Sequence, residues 1–175
     1  MYYPSSNPEV IRLAGDYKSQ FYAVQLLVRP WEVQHLITHR RPSVVELLRK
    51  TTFAEKVAEW LEGKLTRGEY SYIADPKGFL DYWCAPALTL RRNGGDCEDF
   101  TLLTVSLLAA GGVSAHVAVG TAWNGSSFGG HAWVEGVDSR GFFLIEGTSG
   151  QMFRHRPNEY RLSWHIGHSR VQSAA

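Results

Sequence analysis

The sequence predicts an α+β fold in which helices come first and an antiparallel sheet follows. Three observations carry this. Between Glu9 and Glu62 apolar residues recur near helical spacing, twice behind a Ser/Thr-x-x-Glu capping box. Phe100 to Ala110 is apolar nearly all round and runs into Gly111-Gly112, as a central buried helix with a glycine stop would. Alternating, β-rich runs separated by glycine turns occupy the remainder.

Taken in order, residues 1–8 carry two prolines and two serines and read as a flexible arm. Val10, Leu13, Tyr17, Phe21, Val24 and Val28 suggest one or two helices over Glu9 to Arg29, which Pro30 then ends. Ser43 with Glu46 opens a short helix, and Thr52 with Glu55 opens a clearer one over Phe53 to Glu62, ending at Gly63. Thr66 to Asp81 has no sustained periodicity and reads as a long connection. Strands are expected at Val113 to Thr121, His131 to Gly136, Gly141 to Glu146 and around Tyr160 to Ile166, and residues 171–175 read as a flexible tail. One domain is expected over residues 9–170, since 175 residues at 44 % hydrophobic suit a single core.

Composition excludes several classes. The 18 Lys and Arg nearly cancel the 17 Asp and Glu, so no strong field draws the chain to nucleic acid or an anionic membrane. No run of apolar residues is long enough for a membrane span, and the first residues lack a secretory signal pattern, so a cytoplasmic location is expected. Two cysteines make no disulfide framework, and no zinc-binding spacing is present. Cysteine here is core filler or chemistry.

Three segments are candidates for chemistry. Asn93-Gly94-Gly95-Asp96-Cys97-Glu98-Asp99 puts a thiol in the first turn of the buried helix, where unpaired N–H groups and the helix dipole favour a thiolate. The bland alternative is a loop, a cap at Asp96 and a small core residue at Cys97, and this segment alone does not choose. His131 opens a strand directly after Gly129-Gly130; an imidazole can take a thiol proton and return it to a leaving amine. The remaining histidines, His35, His39, His116, His155, His165 and His168, have no cysteine context. Glu146 ends an apolar strand, and an unpaired inward carboxylate would be costly there, so it is the candidate to orient His131. Asp138 is the nearby alternative, better explained by the turn Val137-Asp138-Ser139-Arg140-Gly141. Cys84 reads as a structural thiol.

These segments together carry a resemblance. Gly95-Asp96-Cys97-Glu98-Asp99, Gly130-His131-Ala132-Trp133-Val134 and Ile145-Glu146-Gly147-Thr148 resemble, in order, the core motifs of the transglutaminase-like superfamily. Asp81-Tyr82-Trp83-Cys84-Ala85-Pro86 is similar to the Asp-x-Trp-x-x-Pro element of its bacterial cysteine proteinases, so the motif core spans residues 81–150. The resemblance implies a papain-like core, with a buried nucleophile helix on an antiparallel sheet, a helical N-terminal half, and Cys97, His131 and Glu146 as the catalytic set. Glu146 departs from the more usual Asp by one methylene.

The implied activity is thiol-dependent acyl transfer at an amide bond, as a cysteine peptidase or amidase acting on a protein or peptide. A transglutaminase, or a non-catalytic protein-binding module on the same fold, is the alternative. The backbone N–H of Cys97 is the natural first oxyanion donor; Trp83 and Asn93 are candidates for the second, with Gly95 and Gly130 lining the substrate groove. The chemistry requires no cofactor. Asp96, Glu98 and Asp99 nevertheless crowd the thiol with negative charge, and bacterial members that bind calcium near this motif make calcium a candidate ligand of these three carboxylates.

Overall fold

The computed structural model describes residues 9–14, 20–38, 51–76, 80–167 and 171–174; the arm expected at 1–8 and the helix expected at Ser43 lie outside these. The N-terminal region is less helical than its spacing predicts. Strand β1 (Val10–Ala14) pairs antiparallel with β3 (Leu80–Cys84), aligning Ile11 with Trp83 and Leu13 with Asp81. A long-range partner thus supplies the backbone hydrogen bonds that a helix would have made internally. Helix α1 (Phe21–Val24) continues into a 3-10 turn (Gln25–Leu27). Pro30 then begins helix α2 (Pro30–Thr38) rather than ending one, because a first-turn residue has no intrahelical acceptor for the N–H that proline lacks.

Helix α3 (Phe53–Thr66) starts where the capping box placed it. Thr52 Oγ1 accepts from the Glu55 N–H at 3.2 Å, and Glu55 Oε2 accepts from the Thr52 N–H at 2.9 Å. Its buried face is Ala54, Val57, Ala58 and Leu61, and the helix itself continues past Gly63 to Thr66. Within the expected connection, β2 (Ser71–Tyr72) pairs parallel with β4 (Gly94–Gly95). Between them, helix α4 (Pro86–Arg92) has Pro at its first position and ends at Asn93, whose φ of 51° is left-handed.

Helix α5 (Cys97–Ala110) is the centre of the molecule. Every residue from Glu98 to Leu108 is buried, and each large apolar side chain sequestered this way contributes about 1.5–3 kcal/mol. Gly112, at φ +76°, supplies the left-handed stop. α5 lies against a six-stranded antiparallel sheet ordered β10-β9-β5-β6-β7-β8. Its strands are β5 (Ser114–Trp123), β6 (Phe128–Asp138), β7 (Gly141–Ile145), β8 (Met152–Phe153), β9 (Tyr160–Ile166) and β10 (Val171–Ser173).

One set of sheet residues, including Val117, Val134, Phe143, Ile145 and Ile166, joins the main core with α5. Trp133, Ala118 and Leu144 form a second cluster with Phe142, Phe153, Tyr160 and Leu162, as the two-residue alternation of strands requires. The expected tail is a correction: Val171 to Ser173 pair with Ile166 to Trp164, because an unpaired edge of β9 is available to them. Among the described residues, no helix is long and apolar enough to cross a membrane.

Candidate active site

Three elements converge at the first turn of α5. Cys97 is its first residue, half-buried, and its Sγ lies 3.0 Å from Glu98 Oε2. The glycines before it are required by packing. A Cβ on Gly94 would overlap the Ser71 carbonyl oxygen, and one on Gly95 would overlap the Asp99 side chain. Only bare backbone lets β2 and β4 pair this close to the thiol.

His131 lies on β6 opposite Gly120. Its Nε2 is 2.8 Å from Glu146 Oε2, which leaves Nδ1 outside that bond, and the Cys97 side chain is near enough to act electrostatically on the ring. Burial works to lower the pKa of His131, but the contacts with Cys97 and Glu146 outweigh it and lift the ring to about 10. Glu146 follows the last residue of β7 and is buried. Burial alone would raise its pKa; His131 and Thr148 reverse that and hold it below the usual carboxylate range. The Thr148 N–H and hydroxyl donate to Oε1 at 3.1 and 2.8 Å, and the Tyr160 hydroxyl donates to Oε2 at 2.9 Å. Asp138, by contrast, is held by Arg154 and by the Arg140 N–H at the β6–β7 turn, so the structure brings Glu146 and not Asp138 to the imidazole.

Trp83 is buried, and its indole N–H donates to Asp81 Oδ2 at 2.8 Å. That commits the donor to an acid rather than to a substrate oxygen. Asn93 caps α4 and is exposed; Gly95 is buried in β4; Gly130 is exposed on β6 with open space where a Cβ would stand. Cys84 is fully buried, with the Arg92 guanidinium 3.4 Å from its sulfur.

The acidic residues divide. Asp99 Oδ1 accepts from the Cys84 N–H at 2.8 Å and Oδ2 lies 3.8 Å from Arg92, which commits its carboxylate to those partners. Asp75, Asp96 and Glu98 instead bring carboxylate oxygens within 4.8 Å of one another. Burial first, and then neighbouring acids, push Asp75 and Asp96 up to about 7; burial and the adjacent Cys97 push Glu98 far upward. Asp96 stands at the N-cap of α5 without closing a side-chain cap, and its Oδ1 is buried with no partner. A set of hard oxygen donors with an orphaned buried carboxylate oxygen fits a divalent calcium ion. Asp75 joins this set from a segment with no local motif. Tyr160 had no sequence signal either, whereas Thr148 was visible inside the Ile-Glu-Gly-Thr motif.

A thiol at a helix start, an imidazole on an antiparallel strand and a carboxylate after the next strand define a papain-like arrangement. The model of the transglutaminase-like superfamily matches residues 43–146, and the chain belongs to that superfamily. Over 81 residues it is 38 % identical to the centrosomal protein of 76 kDa from Mus musculus and 37 % identical to that from Xenopus tropicalis. These matches cover 46 % of this chain and 12 % of those proteins. Calcium-bound Legionella pneumophila LapG shares the fold with a TM-score of 0.56 and 16 % sequence identity, across 91 % of this chain and 81 % of that one.

Proposed function

We propose that the chain is a cysteine peptidase or amide hydrolase acting through Cys97, His131 and Glu146. The observation that carries this reading is His131 Nε2 standing 2.8 Å from Glu146 Oε2, on an imidazole that also interacts with the Cys97 side chain at the start of α5. Cys97 as thiolate attacks the carbonyl carbon of a peptide or amide, and the oxygen takes up the negative charge near the N–H groups that open α5. Nδ1 of the His131 imidazolium then gives its proton to the departing nitrogen, leaving a thioester and a free amine. His131 next takes a proton from water as the water attacks the thioester; the acid leaves and the thiolate–imidazolium pair returns. Glu146 holds the ring tautomer and stabilises its cation throughout.

Asp75, Asp96 and Glu98 are the residues that would hold calcium. When bound, the ion offsets the negative charge beside the thiol. The near balance of charges supports a protein or peptide substrate over nucleic acid.

The likeness to centrosomal proteins favours a second reading, a protein-binding module on the same fold, and primary amines in place of water would make the first reaction a transamidation. Incubating the protein with a peptide mixture, with and without a primary amine, separates these outcomes. New carboxyl termini or free acids that vanish in Cys97→Ser support the hydrolase; amine incorporation supports a transferase; neither product supports the binding module.

A further inference from the structure

Both carboxylate oxygens of Glu146, the partner of the imidazole, are fully engaged, and Oε2 is the one that His131 shares with another side chain. It receives His131 Nε2 at 2.8 Å and the Tyr160 hydroxyl at 2.9 Å, while Oε1 is saturated by the Thr148 N–H and hydroxyl. The carboxylate therefore has four protein donors and no freedom to rotate without losing at least one. We propose that Tyr160 is a positioning residue of the site, clamping Glu146 so that His131 keeps Nε2 on the carboxylate and Nδ1 on Cys97. The inference rests on the reading of Cys97, His131 and Glu146 as a working set.

Tyr160 is built for this place. It is the first residue of β9, aligned with Ala122 of β5, so its backbone is fixed by the sheet rather than by a loop. Its ring meets Trp133 edge-on at 5.1 Å and lies 6.2 Å from the His131 ring. Trp133 in turn stacks on His131 at 6.2 Å and 25°. The phenol thus reaches Glu146 from an aromatic wall that also bounds the imidazole. A phenol has a further advantage over a charged donor. Burial and the Glu146 charge raise its pKa, so it stays a neutral donor while the imidazole gains and loses its proton. The carboxylate keeps one constant partner in every protonation state of the ring. Glu in the third position makes the clamp necessary, because its extra methylene adds a rotatable bond that must be fixed for Oε2 to meet Nε2.

Tyr160→Phe keeps the ring against Trp133 and removes only the hydroxyl. Two readouts serve: the iodoacetamide rate of Cys97 at neutral pH, and the proton NMR signal of the His131 Nε2–H, which a held hydrogen bond shifts downfield and protects from exchange. Wild type, Tyr160→Phe and His131→Ala are compared, with urea unfolding to check the fold. The expected result is that Tyr160→Phe unfolds near the wild-type midpoint, alkylates about three- to tenfold more slowly, and shows a broadened or upfield-moved Nε2–H signal. Wild-type alkylation with an unchanged Nε2–H signal in Tyr160→Phe, while His131→Ala still slows the thiol, would overturn the clamp and leave the catalytic set standing. Loss of any His131 dependence would instead overturn the reading on which the clamp rests.

Discussion

His131 Nε2 stands 2.8 Å from Glu146 Oε2, joining a residue of β6 to one that follows β7. The pair is part-buried, and both members move away from their ordinary pKa values in the direction that keeps them charged. A charged imidazole is what a thiolate needs beside it.

Replacing Glu146 with Gln keeps the shape and removes the charge. His131 loses its counter-ion and one reason to hold a single tautomer. Acyl-transfer activity should fall by roughly 10⁴, as for amidation of the third member of the serine-protease triad. Steady-state hydrolysis of a peptide found in the substrate screen measures it, and a loss of less than tenfold would mean the carboxylate is dispensable.

Stability should decline toward alkaline pH because of His131. Its folded value, about 10, lies above the ordinary histidine value of 6.5, so the folded state binds the proton more tightly. The stabilisation is complete below 6.5 and is lost as pH rises through about 10. Thermal midpoints should drop between those limits in the wild type and drop less in His131→Gln. Parallel curves for the two proteins would contradict the shift.

Away from the thiol, Glu135 gathers a second polar cluster. It is 2 % exposed, yet Arg156 meets it through Nε at 2.5 Å and Nη2 at 2.7 Å, His165 Nε2 lies at 2.8 Å, and the Trp133 indole donates at 2.8 Å. Burial would raise its pKa; these partners overcome that and bring it to about 2. The contribution is present above 4.5 and is lost as pH falls through about 2. Arg156→Ala should cost about 2 kcal/mol in urea unfolding, less than the roughly 3–5 kcal/mol of breaking a fully buried pair, because the Arg156 side chain is 35 % exposed. A cost indistinguishable from zero would show that the partners are redundant.

Calcium should stabilise the fold through Asp75, Asp96 and Glu98, whose oxygens lie within 4.8 Å of one another. At a hundred times the dissociation constant the gain is about 2.7 kcal/mol, and a chelator should remove it. Asp75→Asn and Asp96→Asn should each weaken binding in a calorimetric titration. Unchanged thermal midpoints with calcium and with chelator would remove the ion from the account.

Much of this was legible in the sequence for local reasons. The apolar run of α5 and its glycine stop, the Thr52 capping box and the alternating strands each state their structure within a few residues. The missed elements depend on distant partners. β1 reads as helix because Val10 and Leu13 have helical spacing, and only its pairing with Asp81 to Cys84 makes it a strand. Pro30 closes the helical spacing of Val10 to Val28 in the sequence, yet in the fold it opens α2. α4 could have been found from Pro86 at its first position and Arg91-Arg92 in its last turn. In the site, Cys97, His131 and Glu146 carry motif signals. Asp75 and Tyr160 do not, since their neighbours in sequence say nothing of the carboxylates they approach.

The most direct measurement is the iodoacetamide rate of Cys97 across pH in wild type and His131→Ala, with Cys97→Ser as the blank. The account predicts fast alkylation persisting below about pH 7 in the wild type and lost or shifted upward without His131. Reaction confined to above about pH 8 and indifferent to His131 would contradict it, leaving a transglutaminase-like fold whose thiol does no chemistry.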